Sequence, residues 1–215
     1  MNISVRKILL AALLILLTNH VVLAEPYRHN ATGLVFPDRL AMLEKKDEVT
    51  DYSAEDPGLG ISLGYNGPGI IITVYLYTMG LENIPTDLQS PILQEQFRQA
   101  VNDIVQTAKA GYYVDLEKIS EGEATWDATK VKSLQASFRF KRNDQDVLSQ
   151  VHLLGYKNHF LKLRITYAKD FPKEVLEEFF KELASLLVSA DQSQEVKLVK
   201  NSSLKLQQET YTTTR

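Results

Sequence analysis

Gly60-Ile61-Ser62-Leu63-Gly64 spells G-x-S-x-G, the pattern that sets a nucleophilic serine on a strained turn between a strand and a helix. An acid and then a histidine must follow it in the chain, and Asp103 or Asp115 with His152 or His159 supplies that order. The context speaks against the nucleophile. Ser62 sits inside a run of alternating residues, a turn and a second such run follow, and no helix signal comes before Ser90. Small residues beside Ser62 then mark a strand against which a helix or another backbone packs closely. Gly58, Gly60 and Gly64 miss the dinucleotide fingerprint by one position and open no helix. Asp115, Glu117, Glu121, Glu123 and Asp127 crowd together near Trp126, the only tryptophan. Gly122 alone makes poor support for a calcium loop, so the stretch reads as a solvated acidic loop. His152 and His159 differ by an odd number and fall apart under a two-residue period, as ordinary surface histidines.

One constellation survives that sifting. If Phe138, Phe140, Val151, Leu163 and Ile165 face the interior, alternation sends Arg139, Lys141, Gln150, His152, Lys162 and Arg164 to the other face. Tyr75 and Tyr77 join them from an earlier strand, and no acidic residue occupies the alternate positions. Basic and aromatic residues together suit a protein partner or an anionic ligand. Tyr75, Tyr77, Arg139, His152 and Arg164 are therefore the expected partner- or ligand-binding residues, on an open or helix-covered outer sheet face. No metal ligand set, catalytic set or cofactor is expected.

The elements that must carry these residues are legible from period and punctuation. Leu59, Ile61, Leu63 and Tyr65 alternate with small residues, Asn66-Gly67-Pro68-Gly69 turns the chain, and Ile70, Ile72, Val74 and Leu76 alternate again: a hairpin. Ser90-Pro91 caps a helix whose stripe is Leu93, Phe97, Ala100, Val101, Ile104 and Ala108, and Gly111 ends it. A strand over 112–119 precedes the acidic loop over 120–127. Three strands follow as a meander, with turns at Asn143-Asp144-Gln145 and at Gly155 to Asn158. A last helix starts near Pro172 and buries Val175, Leu176, Phe179, Phe180, Leu183, Leu186 and Leu187. Residues 189–215, rich in Ser, Gln, Thr and Lys, read as a flexible polar tail.

The start of the chain carries an address. Arg6 and Lys7 precede an unbroken apolar run from Ile8 to Leu17, and Val22-Leu23-Ala24 ends in small residues: a cleavable signal peptide over residues 1–24. Thr18-Asn19-His20 interrupts the run short of the about 20 apolar residues a bilayer crossing needs, so no stable membrane anchor is expected. The protein is expected in the periplasm or secreted. It contains no cysteine, which excludes disulfides, thiol chemistry and lipid attachment after cleavage, and Glu25 stands where the lipidated cysteine would be. Its net charge is −3, with two cations inside the leader, so a nucleic-acid partner is not expected. Residues 25–188 read as a single α+β domain: a mostly antiparallel sheet packed with two main helices.

That element order behind a leader resembles the PsbP/DcrB-like α/β/α sandwich, found in extrinsic photosystem subunits and small bacterial envelope proteins. The segment from Asp56 to Tyr65, continued by Thr73-Val74-Tyr75-Leu76-Tyr77 and Ile84-Pro85, is similar to a group of uncharacterised bacterial exported proteins. The resemblance spans about residues 30–188 by element order and transfers no catalytic residue. It implies a non-enzymatic exported binding or assembly factor for an envelope protein or an anionic ligand. The alternatives are a small serine hydrolase using Ser62 and a small-ligand carrier with a pocket between sheet and helix.

Overall fold

The computed structural model describes residues 25–126 and 129–212. The leader lies outside them. The chain runs β1 (Tyr27–Arg28), β2 (Val35–Phe36), β3 (Arg39–Leu40), β4 (Leu43–Lys45), β5 (Thr50–Asp51), β6 (Ile61–Gly67), β7 (Ile70–Tyr77) and α1 (Pro91–Lys109). It continues with β8 (Val114–Thr125), β9 (Lys132–Arg142), β10 (Gln145–Tyr156), β11 (His159–Ala168) and α2 (Lys173–Thr212). The main sheet orders its strands β3-β4-β6-β7-β11-β10-β9-β8, all antiparallel, with β5 added beside β6, and β1 and β2 form a small ladder of their own. This is the expected α+β architecture.

Turn chemistry sets the register. Pro68 and Gly69 form a two-residue connection between β6 and β7, with Gly69 at φ 77°, as a type II turn demands. Asn143-Asp144 joins β9 to β10, and Lys157-Asn158 joins β10 to β11, with all four residues at positive φ. Both are mirror-image turns whose twist matches the flanking strands, and Asn and Asp accept that conformation best among residues with side chains.

Directly paired residues share a face, so the register sorts the side chains. Phe138 pairs Ser149 and Ala136 pairs Val151, while Val151 also pairs Arg164, which pairs Thr73. His152 pairs Leu163, which pairs Val74, which pairs Leu63. The apolar sets of β9 and β10 therefore face one way, and those of β6, β7 and β11 face the other. A helix covers each side. α1 buries Leu93, Phe97, Ala100 and Ile104 on the first face. On the second, Phe179 of α2 packs edge-on against Tyr65, and Phe180 packs against Trp126 and His152. The domain is a three-layer sandwich, with both faces of the sheet covered over its central strands.

Two expected segments differ. The acidic stretch over 120–127 is strand rather than loop: through Thr125 it belongs to β8, the edge strand, laddered to β9 with two bulges. Almost every β8 side chain is exposed, so the strand shows no period-2 apolar signal. The segment read as a tail from residue 189 is helical through Thr212, and Ala190 is buried within it. Lys157 Nζ donates to the Ala190 carbonyl at 2.8 Å, and the Tyr156 hydroxyl donates to the Leu187 carbonyl at 2.9 Å. The packed domain thus extends past the expected boundary at 188.

Candidate functional site

β11 places Lys162 and Arg164 two residues apart, hence both toward α1. Their cross-strand partners are Tyr75 and Thr73 on β7 and Leu153 and Val151 on β10. Over them α1 contributes Ala100, Asp103, Ile104 and Thr107, one helical face at three- and four-residue spacing. With Tyr75, Tyr113 and Val151 they line, around the two cations, a cleft of about 220 Å³ between helix and sheet.

The two cations in it are held differently. Arg164 Nη1 donates to Ser149 Oγ at 2.6 Å, and Ser149, fully buried, passes its own hydrogen to the Ile165 carbonyl at 2.8 Å. The Tyr113 hydroxyl also supports the charged guanidinium, and the Tyr113 ring stacks on Phe140 with centroids 4.1 Å apart. Lys162 Nζ lies 4.4 Å from the Tyr75 ring centroid and 5.3 Å from that of Tyr77, within cation–π range. Burial lowers the Lys162 pKa, the Arg164 charge lowers it further, and Asp103 opposes both. Burial likewise pulls Arg164 down, though a guanidinium starts so high that it stays cationic. Among the described residues, no carboxylate stands at salt-bridge distance from either cation.

The expected surface divides between the two sides of the sheet. Tyr75, Tyr77 and Arg164 do lie together, beneath α1 rather than in the open. Tyr77 is buried, and its hydroxyl accepts from Gln96 of α1 at 3.2 Å. Arg139 and His152 belong to the opposite face. Arg139 is bound to Glu117 of β8, and its neighbour Lys141 stands 3.4 Å from Asp115, so the acids of the edge strand neutralise the cations of β9. His152 is buried under α2. Burial alone drives its pKa down to about 3.

A directional chain fixes the His152 ring. Trp126 Nε1 donates to Ser133 Oγ at 3.1 Å, and Ser133 Oγ stands 3.0 Å from His152 Nδ1. The other ring nitrogen, Nε2, meets Gln150 Oε1 at 3.2 Å, while the Gln150 amide nitrogen donates to the Tyr167 hydroxyl at 3.1 Å. Gln150 Oε1 can only accept, so Nε2 carries the proton and Nδ1 accepts from Ser133. The neutral ring is fully satisfied.

The G-x-S-x-G serine forms no such unit. Ser62 is buried and hydrogen-bonded to the Tyr52 hydroxyl at 3.0 Å, on the opposite face from His152. His159 packs edge-on against His29 with centroids 5.2 Å apart. Gly60 explains part of the motif: at φ 63°, a Cβ there would lie 2.0 Å from the Leu76 carbonyl oxygen. Among the described residues, no group of three histidines or acids could hold a metal; Asp127 falls outside them. Nor is any described helix long and apolar enough to cross a membrane.

Alternation grouped Lys162 with Arg164 but also with Arg139, Lys141, Gln150 and His152 of the other face, and Asp103 stood out only as a triad acid. Tyr113, Ser149 and Thr107 carried no signal, because their roles depend on which strand lies beside which.

No protein-family model matches the chain, and no curated protein matches it. Two solved structures are similar in shape. The cyanobacterial PsbP of Synechocystis sp. PCC 6803 is 17% identical, covering 80% of this chain and 94% of that one, with a TM-score of 0.40. A Pseudomonas aeruginosa protein of unknown function is 9% identical, covering 74% and 92%, with a TM-score of 0.35. The fold class stands on the antiparallel sheet and its two covering helices.

Proposed function

We propose that this chain is a non-enzymatic exported binding factor that takes a small anion into the cleft between α1 and the sheet. The observation that carries the reading is the pair Lys162 and Arg164, partly buried side by side without a carboxylate at salt-bridge distance. Holding two like charges together out of water is unfavourable, and a bound anion offsets both their repulsion and their lost hydration. Arg164 is also preoriented by Ser149 and Tyr113, and the guanidinium has further N–H donors to offer a ligand. The export part of the reading rests on the leader composition. Its non-enzymatic part is supported by the pairing of Ser62 with Tyr52 rather than with a histidine.

Titrating the mature chain with acetate and with inorganic phosphate, by calorimetry and thermal melting, tests the cleft. Saturable stabilisation is expected, reaching about 2.7 kcal/mol at a hundredfold excess over Kd. Arg164→Gln should remove it. Identical melts with and without either anion would overturn the reading.

A further inference from the structure

The cleft is not uniformly positive. Asp103 lines its mouth from α1, exposed, on the same helical face as Ala100 and Thr107. Its carboxylate is close enough to act on the Lys162 charge, yet it makes no ion pair with Lys162 or with any other described residue. Thr107, also in the lining, donates from Oγ1 to the Asp103 backbone carbonyl at 2.7 Å, which commits the hydroxyl hydrogen and leaves that oxygen an acceptor. The walls therefore present the buried apolar side chains of Ala100, Ile104 and Val151, two half-buried cations, and an exposed carboxylate with a hydroxyl acceptor.

Resting on the anion-binding reading above, we infer that the ligand is a free amino acid. Its carboxylate lies on Arg164 and Lys162, its ammonium on Asp103 and Thr107, and its hydrocarbon part on Ala100, Ile104 and Val151. A simple anion leaves Asp103 unused and is repelled by it on entry. A simple amine meets two cations and leaves them without an anion. Only a molecule carrying both charges uses every charged group of the cleft, and a guanidinium suits a planar carboxylate through paired N–H donors. The cleft volume of about 220 Å³ suits a small molecule and excludes a folded chain.

Thermal shift and calorimetry on the mature protein, with the free L-amino acids beside isovalerate and acetate, test this. Isovalerate is valine without its ammonium group. At least one amino acid should bind about tenfold or more tightly than either simple acid, the scale of one charge-assisted contact. Asp103→Asn changes an exposed side chain and should leave folding intact. It should abolish the advantage of the amino acid and tighten isovalerate. Isovalerate or acetate binding as well as every amino acid, with no response to Asp103→Asn, would overturn the amino-acid inference and leave the anion site standing. No binding of any acid or amino acid, with the wild-type chain folded, would overturn the anion site and this inference together.

Discussion

Acidifying the solution should weaken this fold through His152 in particular. His152 has a pKa of about 3 in the folded chain against 6.5 for an unperturbed imidazole. Above pH 6.5 the ring is neutral in both states, so folding stability carries no proton cost from it. Between 6.5 and about 3 the unfolded chain binds a proton that the folded chain refuses, so stability falls as pH falls; below the folded pKa the slope vanishes. The slope approaches about 1.4 kcal/mol per pH unit in mid-window, and the loss between pH 7 and pH 5 integrates to about 1.9 kcal/mol. That figure barely changes if the folded pKa is one unit higher, because at pH 5 the native ring remains almost wholly neutral. The physical reason is geometric. Trp126 and Phe180 enclose the ring, and Nδ1 already accepts from Ser133, so an added proton there displaces a hydrogen bond instead of making one. Urea unfolding followed by Trp126 fluorescence at pH 7, 6 and 5, for the wild type and His152→Gln, isolates the effect, since His29 and the carboxylates titrate in both. The variant should lose about 1–3 kcal/mol at pH 7 by disturbing a buried hydrogen-bonded group, and the gap should narrow by about 1.9 kcal/mol at pH 5. A gap that stays constant with pH would refute the buried neutral ring.

Further outcomes follow from close contacts and boundaries. Gly155→Ala would set a Cβ 1.8 Å from the Pro85 carbonyl oxygen, a backbone atom. It should cost about 2 kcal/mol or more, and an unchanged melting temperature would contradict the packing of the β7–α1 connection on β10. Ending the chain after Val188 should cost about 1–2 kcal/mol, through lost partners of Lys157 and Tyr156. Ending it after Gln192 keeps those partners and should be the more stable of the two truncations, and equal urea midpoints for them would deny the docking of Ala190 and Asp191. Intact mass of the exported protein should begin at Glu25, and full-length chain in the membrane fraction would refute the leader reading. A fluorophosphonate probe should leave the folded protein unlabelled, whereas labelling abolished in Ser62→Ala would promote the hydrolase.

Within each strand, the sequence alone settled which residues alternate, because a side-chain period of two is a local property of extended backbone. It also placed α1 between Ser90 and Gly111, from a cap, a proline and an apolar stripe. What it left open was which face each alternating set belongs to. Gathering Phe138, Val151 and Leu163 onto one side assumes a sheet with a single buried face. Here the pairing of Tyr156 with His159 around the Lys157-Asn158 turn sets Leu163 beside His152 and Arg164 beside Val151. Such a pairing is invisible to a reading that ranks positions by hydrophobicity, because both faces are covered and both sets are apolar. His152 thereby moves from a supposed surface to the core, and Arg139 to the partners waiting on β8. Asp103 shares a cleft with Lys162 and Arg164 only because α1 packs over β10, beside which β11 lies, bringing together residues some sixty positions apart in the sequence. Charge and period along a chain are local; the meeting of an acid on a helix with two bases on a strand is decided by packing alone.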